Sequence, residues 1–127
     1  MAAGNYTFTI EQGATTDFQI DWKDSNGDPV DLTYYQARMQ IRSTYGSSGT
    51  LYATLSSSMD SDGTGLNVSG SYSAYPPTSG SIGVIISAAS SSNFTFSEGV
   101  YDLEMVSGST VTRLLQGKVK VSKEVTI

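Results

Sequence analysis

Apolar and polar residues alternate with a period of two along most of the chain. In NYTFTIEQG, Phe8 and Ile10 fall on one side and Thr7 and Thr9 on the other. After a turn at Gln12-Gly13-Ala14, TTDFQIDWK repeats the pattern, with Phe18, Ile20 and Trp22 sharing a face. Successive side chains of a strand point to opposite faces, so this alternation predicts strands with one wet face and one core face. LTYYQARMQIRSTYG sets Ala37, Met39 and Ile41 against Arg38, Gln40 and Arg42, which puts both arginines on a solvent or partner face. TLYATLS predicts a fourth strand directed inward through Leu51, Ala53 and Leu55, and LNVSGSY a short fifth. GSIGVIISA is the most continuous apolar run, with Ile82, Val84 and Ile86 inward and the other face partly covered. GVYDLEMVSGSTVTRLLQGKVKVSKEVTI reads as a closing hairpin. In it Tyr101, Leu103 and Met105 alternate with Asp102 and Glu104, and Ser107-Gly108-Ser109 turns. Val111, Leu115, Val119 and Val121 then share one parity, against Lys118 and Lys120.

Punctuation between these runs is equally legible. Asn26-Gly27 is a turn dipeptide, because both residues tolerate positive φ, and Pro29 bars a ladder hydrogen bond where it stands. Pro76-Pro77 in SAYPPTSG holds an extended, ladder-free conformation. SAASSSNF suits one helical turn, with Phe94 or Phe96 closing an end of the core. About eight strands with almost no helix predict an all-β fold, an antiparallel immunoglobulin-like β-sandwich, with a closed barrel as the alternative. A single domain over residues 1–127 is expected, with no internal repeat and no linker.

Composition narrows the possible partners. The 7 Lys and Arg are scattered among 12 Asp and Glu, for a formal net charge of −5. Binding a phosphate backbone or an anionic bilayer needs cations clustered on one face, so neither nucleic acid nor membrane is expected as a partner. The start MAAGNYTFTIEQG has neither the basic nor the apolar region of a secretion signal, and no apolar run is long enough to span a bilayer. A soluble protein made inside the cell is the expectation.

Candidate chemistry is sparse. With no Cys and no His, thiol nucleophiles, thiolate metal sites and imidazole bases are all missing. The serines therefore lack a partner to activate them. Asp24-Ser25-Asn26-Gly27-Asp28 has oxygens at alternate positions like a calcium loop, but Pro29 stands where the loop needs glycine, and no glutamate follows at the required distance. Asp60-Ser61-Asp62-Gly63 offers just two carboxylates. Side-chain-to-backbone turn chemistry accounts for both stretches. No enzyme, cofactor or metal is expected. The eight tyrosines are more informative, since a stiff ring with a polar tip suits an interface. Tyr34, Tyr35, Tyr45, Tyr72 and Tyr75 lie at strand ends or in loops, and Tyr72 and Tyr75 with Pro76 and Pro77 form the favoured contact loop. Each tyrosine could equally cap an end of the sandwich. Val125, Thr126 and Ile127 could extend the last strand to pair with a neighbour.

Five phrases carry a resemblance. They are IEQGATTDF, DSNGDPVDLT, ARMQIR, EGVYDLEMV and TVTRLLQGKVKVSKEVT. Together they resemble a family of small β-sandwich proteins of tailed bacteriophages and prophages, akin to baseplate upper proteins and long-tail-fibre-associated domains. The likeness covers nearly the whole chain, and its motifs are turns and strands. Two positions depart from the pattern. Tyr34 stands where glycine is expected after Asp-Leu-Thr, which should reshape that turn, and Ser122-Lys123-Glu124 lacks a proline, leaving the last strand freer to pair. The resemblance implies a non-enzymatic virion structural protein made in the host cytoplasm. It would dock in symmetric copies onto tail-fibre or baseplate subunits. A capsid decoration (cement) protein on the major capsid protein is the alternative, and a carbohydrate-binding module for host adsorption is a third. That last reading requires an aromatic face with flanking carboxylates in one cleft.

Overall fold

Strict alternation produces the most regular strands. The computed structural model describes residues 4–46, 48–68 and 80–124. Among them are nine strands: β1 (Gly4–Asn5), β2 (Phe8–Glu11), β3 (Thr16–Asp21), β4 (Gln36–Arg42), β5 (Leu51–Ser56), β6 (Gly65–Asn67), β7 (Ser81–Ile86), β8 (Glu98–Ser107) and β9 (Thr110–Ser122). A short helix, α1 (Ala88–Ser92), joins β7 to β8; Ser87 caps it by accepting from the Ser90 N–H. No helix among the described residues is long and apolar enough to cross a membrane.

The strands form two sheets, a β-sandwich. One is six-stranded in the order β1-β9-β8-β4-β5, with β2 also on β9; the other is three-stranded in the order β3-β7-β6. Their inner faces share one apolar cluster. Ala37, Met39 and Ile41 of β4, Tyr101, Leu103 and Met105 of β8, and Val119 and Val121 of β9 meet Ile82, Val84 and Ile86 of β7 and Leu66 of β6. Phe96 closes one end as expected, its ring stacked on Tyr52 at 4.2 Å and 2°. The final hairpin turns on two residues, Gly108 and Ser109, with Ser107 opposite Thr110. Within this turn positive φ is confined to Gly108 (φ 58), the pattern that places glycine first in a type II′ turn.

Several expectations are refined or corrected. Nine strands, one of only two residues, lie among the described residues where about eight are expected, and the sheets are not wholly antiparallel, since β1 and β2 run parallel to β9. Phe8 stands opposite Val119 and Glu11 opposite Ser122 in that ladder. Phe18 and Ile20 of β3 and Trp22 just beyond it share a face but are only half-buried; among the described residues β3 is the outer strand of the smaller sheet. The parity of Val111 and Leu51 also fails. In β9, Leu103 faces Leu115 but Glu104 faces Arg113, so Leu114 is an extra residue and every position before it flips. Val111 is consequently 48% exposed. In β5 the extra residue is Tyr52, which turns Leu51 outward, 46% exposed, and frees the Tyr52 ring to cover Phe96. The turn at Tyr34 forms without glycine: the Tyr35 N–H bonds the Leu32 carbonyl, and no non-glycine residue among those described has positive φ.

One crossing locks the first strands to the last. Between β1 and β2 the chain passes over Gly117 of β9, with the Tyr6 N–H on the Gln116 carbonyl at 3.0 Å. The buried Tyr101 hydroxyl donates to the Tyr6 carbonyl at 2.7 Å. A Cβ at Gly117 would collide with that same carbonyl. Burial of the ring pushes the Tyr101 phenol far above its ordinary value, with the neighbouring Tyr6 and Tyr45 adding to the shift.

Candidate functional site

The outer face of the six-stranded sheet collects the polar halves of three alternating strands. Pairing sets Arg38 opposite Glu104 and Gln40 opposite Asp102 across β4 and β8. The bulge at Leu114 then brings Arg113 of β9 opposite Glu104. Arg38 Nε donates to Glu104 Oε1 at 2.7 Å, and Arg113 Nε lies 3.5 Å from Asp102 Oδ2. These ion pairs are partly exposed, so each contributes about 0–1 kcal/mol to stability. Their effect is positional: they hold the side chains in one arrangement.

The loop from β4 to β5 folds over this face. Its neck is closed by the Ser43 N–H on the Thr50 carbonyl and the Thr50 N–H on Ser43 Oγ. Arg42 Nη1 donates to the Gly49 carbonyl at 3.0 Å and Arg42 Nε to Gln40 Oε1 at 3.1 Å. The loop carries Tyr45 as far as β9, where its hydroxyl donates to the Gly117 carbonyl at 3.3 Å. Beneath it lies an open depression of about 340 Å³, lined by Gln40, Arg42, Tyr45, Asp102, Glu104 and Arg113. The Asp102 carboxyl is pushed above its ordinary value, first by burial and then by the Glu104 charge; Arg113 and Arg38 oppose this but do not win. Asp102 and Glu104 are two residues apart on one strand and each is committed to a guanidinium. The arrangement offers hydrogen bonds and a ring face to a bound molecule.

A second depression, of about 370 Å³, lies between β2 and β3. Tyr6 and Phe18 line it, 5.6 Å apart between ring centres, with Glu11 and Asp17 as its charged residues. It is somewhat larger, but among the described residues no cation lines it. The first brings together more kinds of group.

The tyrosines singled out from sequence are dispersed. Tyr45 walls the first depression. Tyr34 projects from its turn, 85% exposed, and lines no depression described here. Tyr35 is half-buried and meets Trp22 edge to face at 5.1 Å, a packing role. Tyr72, Tyr75, Pro76, Pro77, Val125, Thr126 and Ile127 lie outside the described residues. Gln40, Asp102, Glu104 and Arg113 are not among the interface residues that the sequence suggests. Charge alternation on β4 and β8 was the available signal, but which strands lie side by side is not written in either strand alone.

Both acidic stretches are turns. Asp24 Oδ1 accepts from the N–H groups of Asn26 and Asp28. Asp62 does more: Oδ1 accepts from the Thr64 N–H, while Oδ2 accepts from the hydroxyls of Ser87 and Ser90, each at 2.6 Å. Those two hydroxyls, Ser87 foremost, hold the Asp62 carboxyl well below the usual carboxylate range. Among the described residues, no three of His, Cys, Asp and Glu are grouped so as to hold a metal ion. Compared with known families and with curated proteins, the chain matches no family model and no curated protein.

Proposed function

We propose that the chain is a non-enzymatic structural component of a tailed-bacteriophage virion, docking in symmetric copies as a baseplate or tail-fibre attachment protein. The observation that carries this reading is where the resembling phrases fall. Ile10–Phe18 runs from β2 through its turn into β3, Asp24–Thr33 holds the Asp24 turn, and Ala37–Arg42 lies within β4. Glu98–Val106 lies in β8, and the last phrase begins with β9. These residues build a frame. A part whose contacts repeat around a symmetry axis needs a rigid frame to hold each contact in the same geometry.

We further read the sandwich as immunoglobulin-like. The order β3-β7-β6 against β9-β8-β4-β5 corresponds to strands B-E-D facing G-F-C-C′ of that fold. Tyr101 sits near the start of β8, where the tyrosine corner of strand F places its ring. Its hydroxyl departs from that pattern by bonding Tyr6, far upstream in sequence.

The test is the copy number of this chain in purified particles of the phage or prophage that encodes it, by quantitative mass spectrometry against the major capsid protein. A few to tens of copies are expected. Hundreds would favour capsid decoration instead, and absence from the particle would sink both.

A further inference from the structure

We propose that the depression beneath Tyr45 is a subsite for a neutral saccharide unit, with the Tyr45 ring covering one face of the sugar and Arg42, Asp102 and Arg113 bonding its hydroxyls. Three observations carry this. The depression, about 340 Å³, falls at the small end of the range for ligand sites. Its lining carries two guanidiniums (Arg42, Arg113) and two carboxylates (Asp102, Glu104), with Arg38 paired to Glu104 alongside, so groups of both signs are presented together and the excess is a single positive charge. A polyol fits this array, because each hydroxyl both donates and accepts and adjacent hydroxyls present the paired geometry that carboxylates and guanidiniums match.

The third observation is that the groups are held in place before any ligand arrives. Arg42 is anchored through Nε and Nη1, which leaves Nη2 to donate. Glu104 is fixed by Arg38. Tyr45 is tethered through its hydroxyl and remains 54% exposed, with no ring contact to another aromatic among the described residues, so much of its ring stays available. An aromatic ring offers large, stiff apolar area, which suits the C–H face of a pyranose. Pre-positioned side chains lower the ordering cost of binding. The inference stands on the geometry of this face and does not depend on where in a particle the chain resides.

Amide chemical shifts of the full chain, followed during titration with glucose, galactose, mannose and N-acetylglucosamine, test it. At least one sugar is expected to move the amides of Gln40, Arg42, Tyr45, Asp102 and Arg113 while leaving those of β6 and β7 unmoved. Tyr45→Ala should weaken binding by about tenfold or more, the loss of one aromatic contact. Tyr45→Phe keeps the ring and should retain most of the affinity. Asp102→Asn, nearly isosteric, should weaken binding without altering the core spectrum. Titration with polysaccharide from a bacterial surface distinguishes a glycan-borne unit from a free sugar: shifts with the polymer at lower sugar concentration point to the glycan. The proposal is overturned if no sugar or polysaccharide moves these amides, if the shifts survive Tyr45→Ala, or if inorganic phosphate or an acidic peptide moves them and sugars do not.

Discussion

The six-stranded and three-stranded sheets bury the same kind of residue toward each other, yet they are held by different means. In the larger sheet β8 and β9 run long beside each other, and the free side of β9 is covered by strands from the start of the chain. Backbone pairing runs the length of β8 beside β9, and the crossing at Gly117 leaves no room for a side chain. Among the described residues the smaller sheet includes a three-residue strand, β6, whose ladder with β7 is correspondingly short. Side chains reinforce it. Asp62 joins the β6 approach to the α1 cap through Ser87 and Ser90, and Ser81 of β7 donates to Asp21 of β3 at 2.8 Å. A short ladder leaves ends that hydroxyls and carboxylates must satisfy, and the serine-rich composition serves that need.

The comparison predicts an order of sensitivity. The largest effect should come from Gly117→Val, which drives a branched side chain into the Tyr6 carbonyl and detaches β1 and β2 from β9. A loss of more than about 4 kcal/mol is expected, in the exceptional tail for single substitutions, and denaturant unfolding measures it. Tolerance of valine would show that the crossing is not what fastens the larger sheet. Next come Leu103→Ala in the larger sheet and Ile82→Ala in the smaller, both fully buried. Each should cost about 2–5 kcal/mol, and similar values would confirm that the two sheets share one core.

Much of this order can be read in the chain, and the exceptions have physical causes. Ala37, Met39 and Ile41, or Ile82, Val84 and Ile86, are identified as core by alternation alone, because their strands have no extra residue. Val111 and Leu51 mislead because Leu114 and Tyr52 each insert one position, and a bulge leaves no mark in hydrophobicity. The depression escapes for another reason. Its residues come from β4, β8, β9 and the loop after β4, and their meeting depends on strand order. Of these residues the sequence places Arg42 on a solvent or partner face and marks Tyr45 as an interface residue, by its type and loop position.

Smaller effects sharpen the contrast between backbone and side-chain fastening. Asp62→Asn should lower the melting temperature at neutral pH by less than either cavity substitution, since the site is exposed. Its carboxyl titrates lower in the folded protein than its ordinary value of 3.8, so its contribution is present above that pH and is lost as pH falls further. Thermal melts of the two proteins should therefore converge in strong acid. A gap that persists unchanged to the lowest pH would mean that the charge is not what binds the serines. Tyr34→Ser should change stability by no more than about 0.5 kcal/mol, as expected for a side chain this exposed.

The parallel seating of β2 on β9 also determines how the molecule bears load. Tension that enters ahead of β2 and leaves beyond β9 acts at opposite ends of their shared ladder, along the strand axis. All its bonds are then strained at once, in shear. The β8–β9 hairpin gripped at Glu98 and Ser122, by contrast, is pulled from one end and opens rung by rung. Single-molecule stretching should therefore need more force along the first axis than along the second, and equal forces would refute the mechanical reading. A part pulled lengthwise by its neighbours would be loaded in its strongest direction.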